Sequence, residues 1–485
     1  MTDTSRLSAA THVSQRRRLA LIIAAVTVLV LVIRFWPAFT LLDGLELKTL
    51  DWRFARRGPE PPHPDIVIVG VDESSILQVG RWPWPRRVFA DVTRTLSDAG
   101  ASAIVFDIFF ADPDEADDGT ASDSALVEAT REAGMVYHAA FGRGREDGDA
   151  DRSQVLEPRA WDGTNVAPPT GLDAAAELFE IGQITPPMPA LVDAAAGLGF
   201  VNVVDSGDGV FRHIFPLVRH GEQLYPSLSV AAAAGALDVG PDEVVVRPGR
   251  AIELGNERTI PIDRMGRMLI NFAGGAATYP YVPVGDVLRM AESPAEIARE
   301  RFEGKIVLVA VTAPGLYDLR ASPFDAVFYG VETQANAIAN ILEGDFLRQA
   351  PGESCVIILI ALAIAVYFIM TRMRPTPAVV SALALLPAYT WASLWLFQRG
   401  LAIDVVAPNV VLLASTGAGL ALRLVGEESK TERVWAALSR FVPSGVIERV
   451  VAEDPEALLR GRRREVTVLF ADIRNFTAKS QSLNP

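Results

Sequence analysis

The 485-residue chain sets 45 basic side chains against 59 acidic ones, for a formal net charge of −14, and is 50% hydrophobic with a mean hydropathy of +0.24. The acidic balance argues against a nucleic-acid partner, while so large an apolar share over this length predicts membrane segments joined to soluble domains. A single cysteine, Cys355, excludes an intrachain disulfide and a cysteine-built zinc site, and His12, His63, His138, His213 and His220 stand at no metal-ligand spacing. Any metal chemistry must therefore come from carboxylates.

Residues 1–18 close on Arg16, Arg17 and Arg18 and read as a cytoplasmic N-terminus. Residues 19–42 follow as a first candidate span, apolar apart from Arg34, which is placed to snorkel to the interface beside Trp36. A cleaved signal peptide is the alternative for this segment, but its apolar run is long for one and no small-x-small site follows. Three more candidate spans come late in the chain, at residues 354–371, 377–398 and 402–423, each close to the ~20 apolar residues that crossing requires. Arg372 and Arg374 after the second span, with Arg423 and Arg433 after the fourth, agree with the first cluster. Both termini are then cytoplasmic and residues 43–351 are extracytoplasmic, on a multi-pass chain of the inner cell membrane.

Within residues 43–351 the pattern is α/β. Residues 66–71 are a continuous apolar strand run ending in Asp72 and Glu73, residues 85–99 a helix with proline at its start and Gly100 past its end, and residues 103–106 a second strand ending in Asp107. Residues 305–311 form another apolar strand run, followed by Gly315 and Asp318. In open parallel sheets ligands bind beyond the carboxyl ends of the strands, so neighbouring strands would bring Asp72, Glu73, Asp107 and Asp318 to one mouth. Taken singly, each carboxylate is more simply a helix cap or loop residue. The stretch "RWPWPRR" could stack a ligand but more simply closes an apolar lid over a sheet, and "DSGDG" at 205–209 fits a hairpin turn better than a calcium loop. The acidic "ADPDEADDGT" and "GREDGDAD" read as solvated loops.

Three stretches, "VDESSILQVGRWPWPRRVFADVTRTLSDAGASAIVFDIFF", "GFVNVVDSGDGVFRH" with "YPSLSVAAA", and "GKIVLVAVTAPGLYDLRASPFDAVFYGVETQANAIANIL", resemble in pattern and order the CHASE2 extracytoplasmic sensor domain. The resemblance covers nearly all of residues 43–351 and implies a sensory input module for an extracytoplasmic ligand, which it does not identify. Ala310 stands where the family usually has glycine, an expected alteration of a backbone turn.

Past the fourth span, residues 424–462 read as a cytoplasmic signalling linker. Val434, Leu438 and Phe441 fall at i, i+4, i+7, a narrow stripe suited to a short parallel coiled coil or to packing on a neighbouring domain, and Pro443 ends that helix. Val446, Ile447, Val450 and Val451 suggest a second amphipathic piece, and the basic "RGRRR" at 460–464 a solvated linker near anionic lipid. Residues 466–471 then read as a strand that delivers Asp472 at its end, beside the carbonyl of Ile473; oxygens of this kind suit hard cations.

The string "REVTVLFADIRNFT" resembles the opening strand of class III adenylate and guanylate cyclases, so residues 463–485 are expected to be the N-terminal fragment, first strand and helix, of an α+β cyclase domain. The resemblance implies that Asp472 and the Ile473 carbonyl bind two Mg²⁺ or Mn²⁺ ions, that Asn475, Phe476 and Thr477 hold the triphosphate, and that the active form is a homodimer using ATP or GTP. The family's second metal aspartate, base-reading residues and asparagine–arginine pair lie beyond residue 485. A chain of this length is accordingly expected to be catalytically inactive, the sensor half of a longer reading frame; a non-catalytic sensor or assembly module is the alternative. The whole reads as a multi-domain protein: an α/β sensor, four transmembrane helices, a coiled-coil-like linker and the start of a cyclase domain.

Overall fold

The computed structural model describes residues 3–36, 40–115, 119–144, 178–202, 206–293, 295–313, 315, 319–438, 465, 467–469 and 471. The soluble part is built on a seven-stranded sheet of β1 (Ile66–Val71), β2 (Ala103–Asp107), β3 (Val136–Gly144), β4 (Ile181–Thr185), β5 (Gly197–Phe200), β6 (Tyr281–Pro283) and β7 (Ile306–Val311). The strand order is β6–β1–β7–β2–β3–β4, with β5 also pairing with β3. Every pairing is parallel except β3 with β4. The continuous apolar runs follow from this topology: strands covered on both faces need no polar alternation. All six residues of β1 are buried. Register sets Ile66 beside Ile306, and Ala310 beside both Gly70 and Asp107, so the three strands are neighbours, the condition on which a shared acidic mouth depended.

Successive residues on a strand point to opposite faces, so the sheet divides two cores. Val67, Val69, Ile104, Phe106, Val307 and Val309 face one core, packed by α4 (Arg86–Asp98) and α5 (Gly119–Ala133). Ile66, Ile68, Val105, Ile306 and Leu308 face the other, packed by α6 (Leu228–Ala236) and α7 (Gly330–Glu343). Gly199 of β5 allows α6 this approach, since a Cβ there would stand 2.3 Å from the Leu228 Cα. Ala310 is buried inside β7, so the turn its methyl was expected to alter is absent there.

"RWPWPRR" forms the apolar lid. Trp84 is buried, its indole N–H donating to the Gly80 carbonyl at 2.8 Å, and its ring joins Trp82 and Phe89 over the first core. "ADPDEADDGT" is more than a solvated loop: the Asp114 carboxylate accepts from the Arg86 N–H at 2.8 Å and from Ser122 Oγ at 2.6 Å, tying down the start of α4. His138 stacks on Phe106 with Nε2 3.2 Å from Thr130 Oγ1. His213 is buried as well, and burial pushes both imidazoles down to about 3, so they are neutral core residues.

Among the described residues, four helices are long and apolar enough to cross a membrane: Gln15–Phe35 within α1 (Asp3–Phe35), α8 (Gly352–Arg372), α9 (Pro375–Phe397), and Val406–Val425 within α10 (Val406–Leu438). Leu41 and Leu42, expected to end the first span, instead open a separate helix, α2 (Leu41–Arg57), with Pro37 intervening. Helix α10 runs without a break from the fourth span through Val434 and Leu438 of the anticipated linker stripe. Phe441 and the 446–451 and 460–464 segments lie outside the described residues. Of the strand expected at 466–471, residues 466 and 470 lie outside the described residues; Thr467, Val468, Leu469 and Ala471 carry no ladder to any described residue, and Val468 and Leu469 are exposed. A strand is held by a partner's hydrogen bonds, and none of the described residues supplies one.

Candidate functional site

An extended polar network among the described residues lies where the α/β domain meets the candidate membrane spans, and α2 is its centre. One face of α2 places Leu50 and Phe54 in the core shared with Ile66, Leu308, Phe272 and Phe328, and that same core takes in Phe397 and Ala402 at the ends of the spans. Phe54 meets Phe272, Phe324 and Phe397 edge-on at centroid distances of 6.0, 5.7 and 5.0 Å. Apolar contact is therefore continuous from the sheet to the third span.

The polar residues of α2 clamp the spans. Glu46 Oε2 accepts from the backbone N–H groups of Val405 and Val406 at 2.8 and 2.9 Å, capping the start of α10, where an anion also meets the positive end of the helix dipole. Its Oε1 accepts from Arg53 Nη2 at 3.0 Å, and Arg53 Nη1 donates to the Ile403 carbonyl at 2.9 Å. Arg34, expected to snorkel into the interface, instead donates to Asp43 at 2.7 Å and, through Nε and Nη2, to both oxygens of Asp404 at 3.2 Å. A carboxylate within reach offers a charged acceptor, which water at the interface cannot match. Arg348–Gln349, just before α8, pair in parallel with Leu401–Ala402. All four spans are thus joined to α2 or to one another on the domain side.

A second clamp ties α2 to the core of the α/β domain. The fully buried Arg212 donates to Asp51 at 2.7 and 2.8 Å and to Asp208 at 2.9 Å through each terminal nitrogen. Burial opposes the Arg212 charge, but its bonds to Asp51 and Asp208 outweigh that and raise its pKa; the Arg212 bonds also hold Asp208 far below the usual carboxylate range. "DSGDG" is therefore a turn, with Ser206 N–H donating to the Val210 carbonyl at 3.2 Å, and its aspartate serves an ion triad. Arg57 adds bonds to Asn271 and to the Phe272 carbonyl.

The acidic mouth is described only in part. Asp72 caps α3 (Glu73–Val79), accepting from Ser75 N–H at 2.8 Å and from the Ser74 and Ser75 hydroxyls, as the simpler reading held. Glu73 is exposed, Asp107 is half-buried and partnered, and Asp318 lies outside the described residues. The same end of the sheet holds a carboxylate that the sequence reading missed. Glu332 opens α7 and accepts from the Ala277 and Thr278 N–H groups at 2.6 and 3.4 Å. Burial pushes it up to about 7 against those bonds, with the nearby Asp325 charge adding to the rise.

Asp472, Ile473, Asn475, Phe476 and Thr477 lie outside the described residues, and among the described residues no group of three or more His, Cys, Asp or Glu side chains could hold a metal ion. Sequence reading also missed Glu46, Asp51, Arg53, Arg212 and Asp404. A trace was there: Leu42, Glu46, Leu50, Arg53 and Phe54 share one face at helical spacing just past the first span.

In comparisons with known proteins, the family model described as CHASE2 domain matches residues 25–369, taking in the α/β domain and most of its flanking spans. No curated protein matches, and no solved structure does.

Proposed function

The chain belongs to the CHASE2 domain family, a signal-transducing membrane protein with a sensor domain, and on that premise we propose that it relays an extracytoplasmic signal to a class III nucleotidyl cyclase output, with ATP the favoured substrate over GTP. The observation that carries the relay is the double clamp on α2. Arg212 fixes this helix to the sensor core, while Glu46 and Arg53 fix it to the start of the fourth span. The helix of that span is Val406–Leu438, which leads toward the output side. A shift of a few kcal/mol between two arrangements suffices to change an output strongly.

The output rests on the resemblance carried by "REVTVLFADIRNFT". In this reading Asp472 and the Ile473 carbonyl would hold the metal ions, and Asn475, Phe476 and Thr477 would hold the triphosphate. The 3′-oxygen attacks the α-phosphorus, the bond to the β-phosphate oxygen breaks, pyrophosphate leaves and the hydroxyl proton passes to solvent. Two Mg²⁺ or Mn²⁺ ions would supply neutralisation of the phosphates and acidification of the 3′-hydroxyl. A homodimer in the inner membrane, with residues 43–351 outside, completes the proposal.

The test is a cyclase assay on membranes carrying the full reading frame, with ATP and GTP supplied separately, beside Asp472→Ala. Product that disappears in the variant supports the cyclase. Absence of product, with the ATP and GTP arms both blank across a panel of extracytoplasmic conditions, favours a non-catalytic sensor or assembly module.

A further inference from the structure

Helix α2 contacts membrane-boundary residues along its whole length. Asp43 meets Arg34 at the end of the first span, Glu46 the start of the fourth, Arg53 the Ile403 carbonyl, and Phe54 and Arg57 the ring of Phe397, last residue of the third. At ~1.5 Å per residue, a helix standing along the membrane normal would lift Arg57 about 20 Å above Asp43. Both ends touch the boundary layer, so α2 lies across it.

Its open face has the chemistry of that layer. Leu41, Leu45 and Trp52 are 73%, 47% and 44% exposed although the opposite face of the helix is buried in the domain core. Trp52 joins Trp36, Trp391 and Trp395, all exposed and all at the domain-side ends of spans, in one aromatic girdle. Of the cations on this face, Lys48 is held by Asp208 at 3.1 Å, whereas exposed Arg56 has no ion-pair partner among the described residues. An apolar trio one side chain away from an unpaired guanidinium suits acyl chains below and a phosphate beside them.

We propose that α2 is an interfacial helix that docks Leu41, Leu45 and Trp52 on the leaflet facing the α/β domain, with Arg56 on a lipid phosphate. The lipid surface is then itself a ligand of the sensor. Because the other face of α2 carries Asp51, Phe54 and Glu46, a change in headgroup charge or lateral packing reaches the sensor core and the fourth span through one rigid element. This inference rests on the junction alone and is independent of the cyclase reading.

The test uses the full chain in vesicles of phosphatidylethanolamine with phosphatidylglycerol. In a Cys355→Ser background, nitroxide labels are placed at Leu45→Cys, Trp52→Cys and, as a water-facing control, the exposed Asp98→Cys; Leu41→Cys substitutes if the Trp52 variant fails to assemble. Collisions with oxygen relative to a water-soluble nickel complex are expected to be several-fold higher at 45 and 52 than at 98. Arg56→Glu should lower that ratio at 52 in phosphatidylglycerol vesicles and less so in phosphatidylcholine. Ratios equal to the control would overturn docking on lipid. So would dipolar broadening between labels, which would mean that a second copy of the chain covers this face. An Arg56→Glu variant that leaves the ratio at 52 unchanged in phosphatidylglycerol would overturn the phosphate contact.

Discussion

Arg212→Met removes the link between α2 and the sensor core while keeping much of the side-chain volume. In the parent, the buried guanidinium makes four contacts of 2.7, 2.8, 2.9 and 2.9 Å to two carboxylates. Breaking a buried charge network costs ~3–5 kcal/mol. Asp51 and Asp208 keep about a fifth of their side-chain surface exposed, 20% and 21%, and can partly rehydrate, so the lower end, about 3 kcal/mol, is expected. Urea unfolding of the full chain in lipid nanodiscs, followed by circular dichroism, measures the domain while the lipid-embedded helices persist. Asp51→Asn made alone and together with Arg212→Met should give a coupling of about 2 kcal/mol. The acid limit supplies a second check. Asp208 is depressed in the folded state, so its contribution is present above its ordinary value of 3.8 and lost as the pH falls toward its folded value. The gap between parent and variant should therefore narrow below 3.8. A cost under ~1 kcal/mol, or strictly additive single changes, would refute the claim that this triad holds the stem helix to the sensor.

Glu332 titrates in the opposite sense. Raised from 4.5 to about 7, it keeps its proton longer in the folded state, so its contribution is complete below 4.5 and lost as the pH rises through 7. The loss is about 3 kcal/mol at most, and Glu332→Gln should flatten it; an unchanged slope in urea midpoints between about pH 5 and about pH 8 would exclude this carboxylate as the source. Phe54→Ala, which empties the ring contact shared by the core and the third span, should cost ~3–5 kcal/mol by the same unfolding assay. Gly199→Ala brings a methyl to 2.3 Å from the Leu228 Cα, a backbone atom that cannot rotate away, and should cost ~1–3 kcal/mol; a neutral outcome would mean that α6 is free to shift.

The elements that local composition enforces were legible in advance. Runs such as IVIVGV and IVLVAV can only be strands covered on both faces, and the four apolar stretches can only be buried or span lipid, whatever the rest of the chain does. The lid of Trp82 and Trp84 followed from the same reasoning. The boundary of the first span did not, because Leu41 and Leu42 are as apolar as the span and only their packing as α2 separates them. The role of Asp72 was not legible, because a strand-end aspartate looks alike in sequence whether it meets a ligand or caps the next helix, as Asp72 does.

What the sequence determined by itself is therefore what neighbours along the chain decide: periodicity, the presence of four apolar spans and the individual buried strands. Tertiary structure alone decided which charges are joined. Arg34 and Asp404 are 370 residues apart, and Arg212 and Asp51 161. Coulomb attraction acts over a few ångströms whatever the sequence separation, so an isolated arginine carries no mark of its partner until the fold has brought the two together.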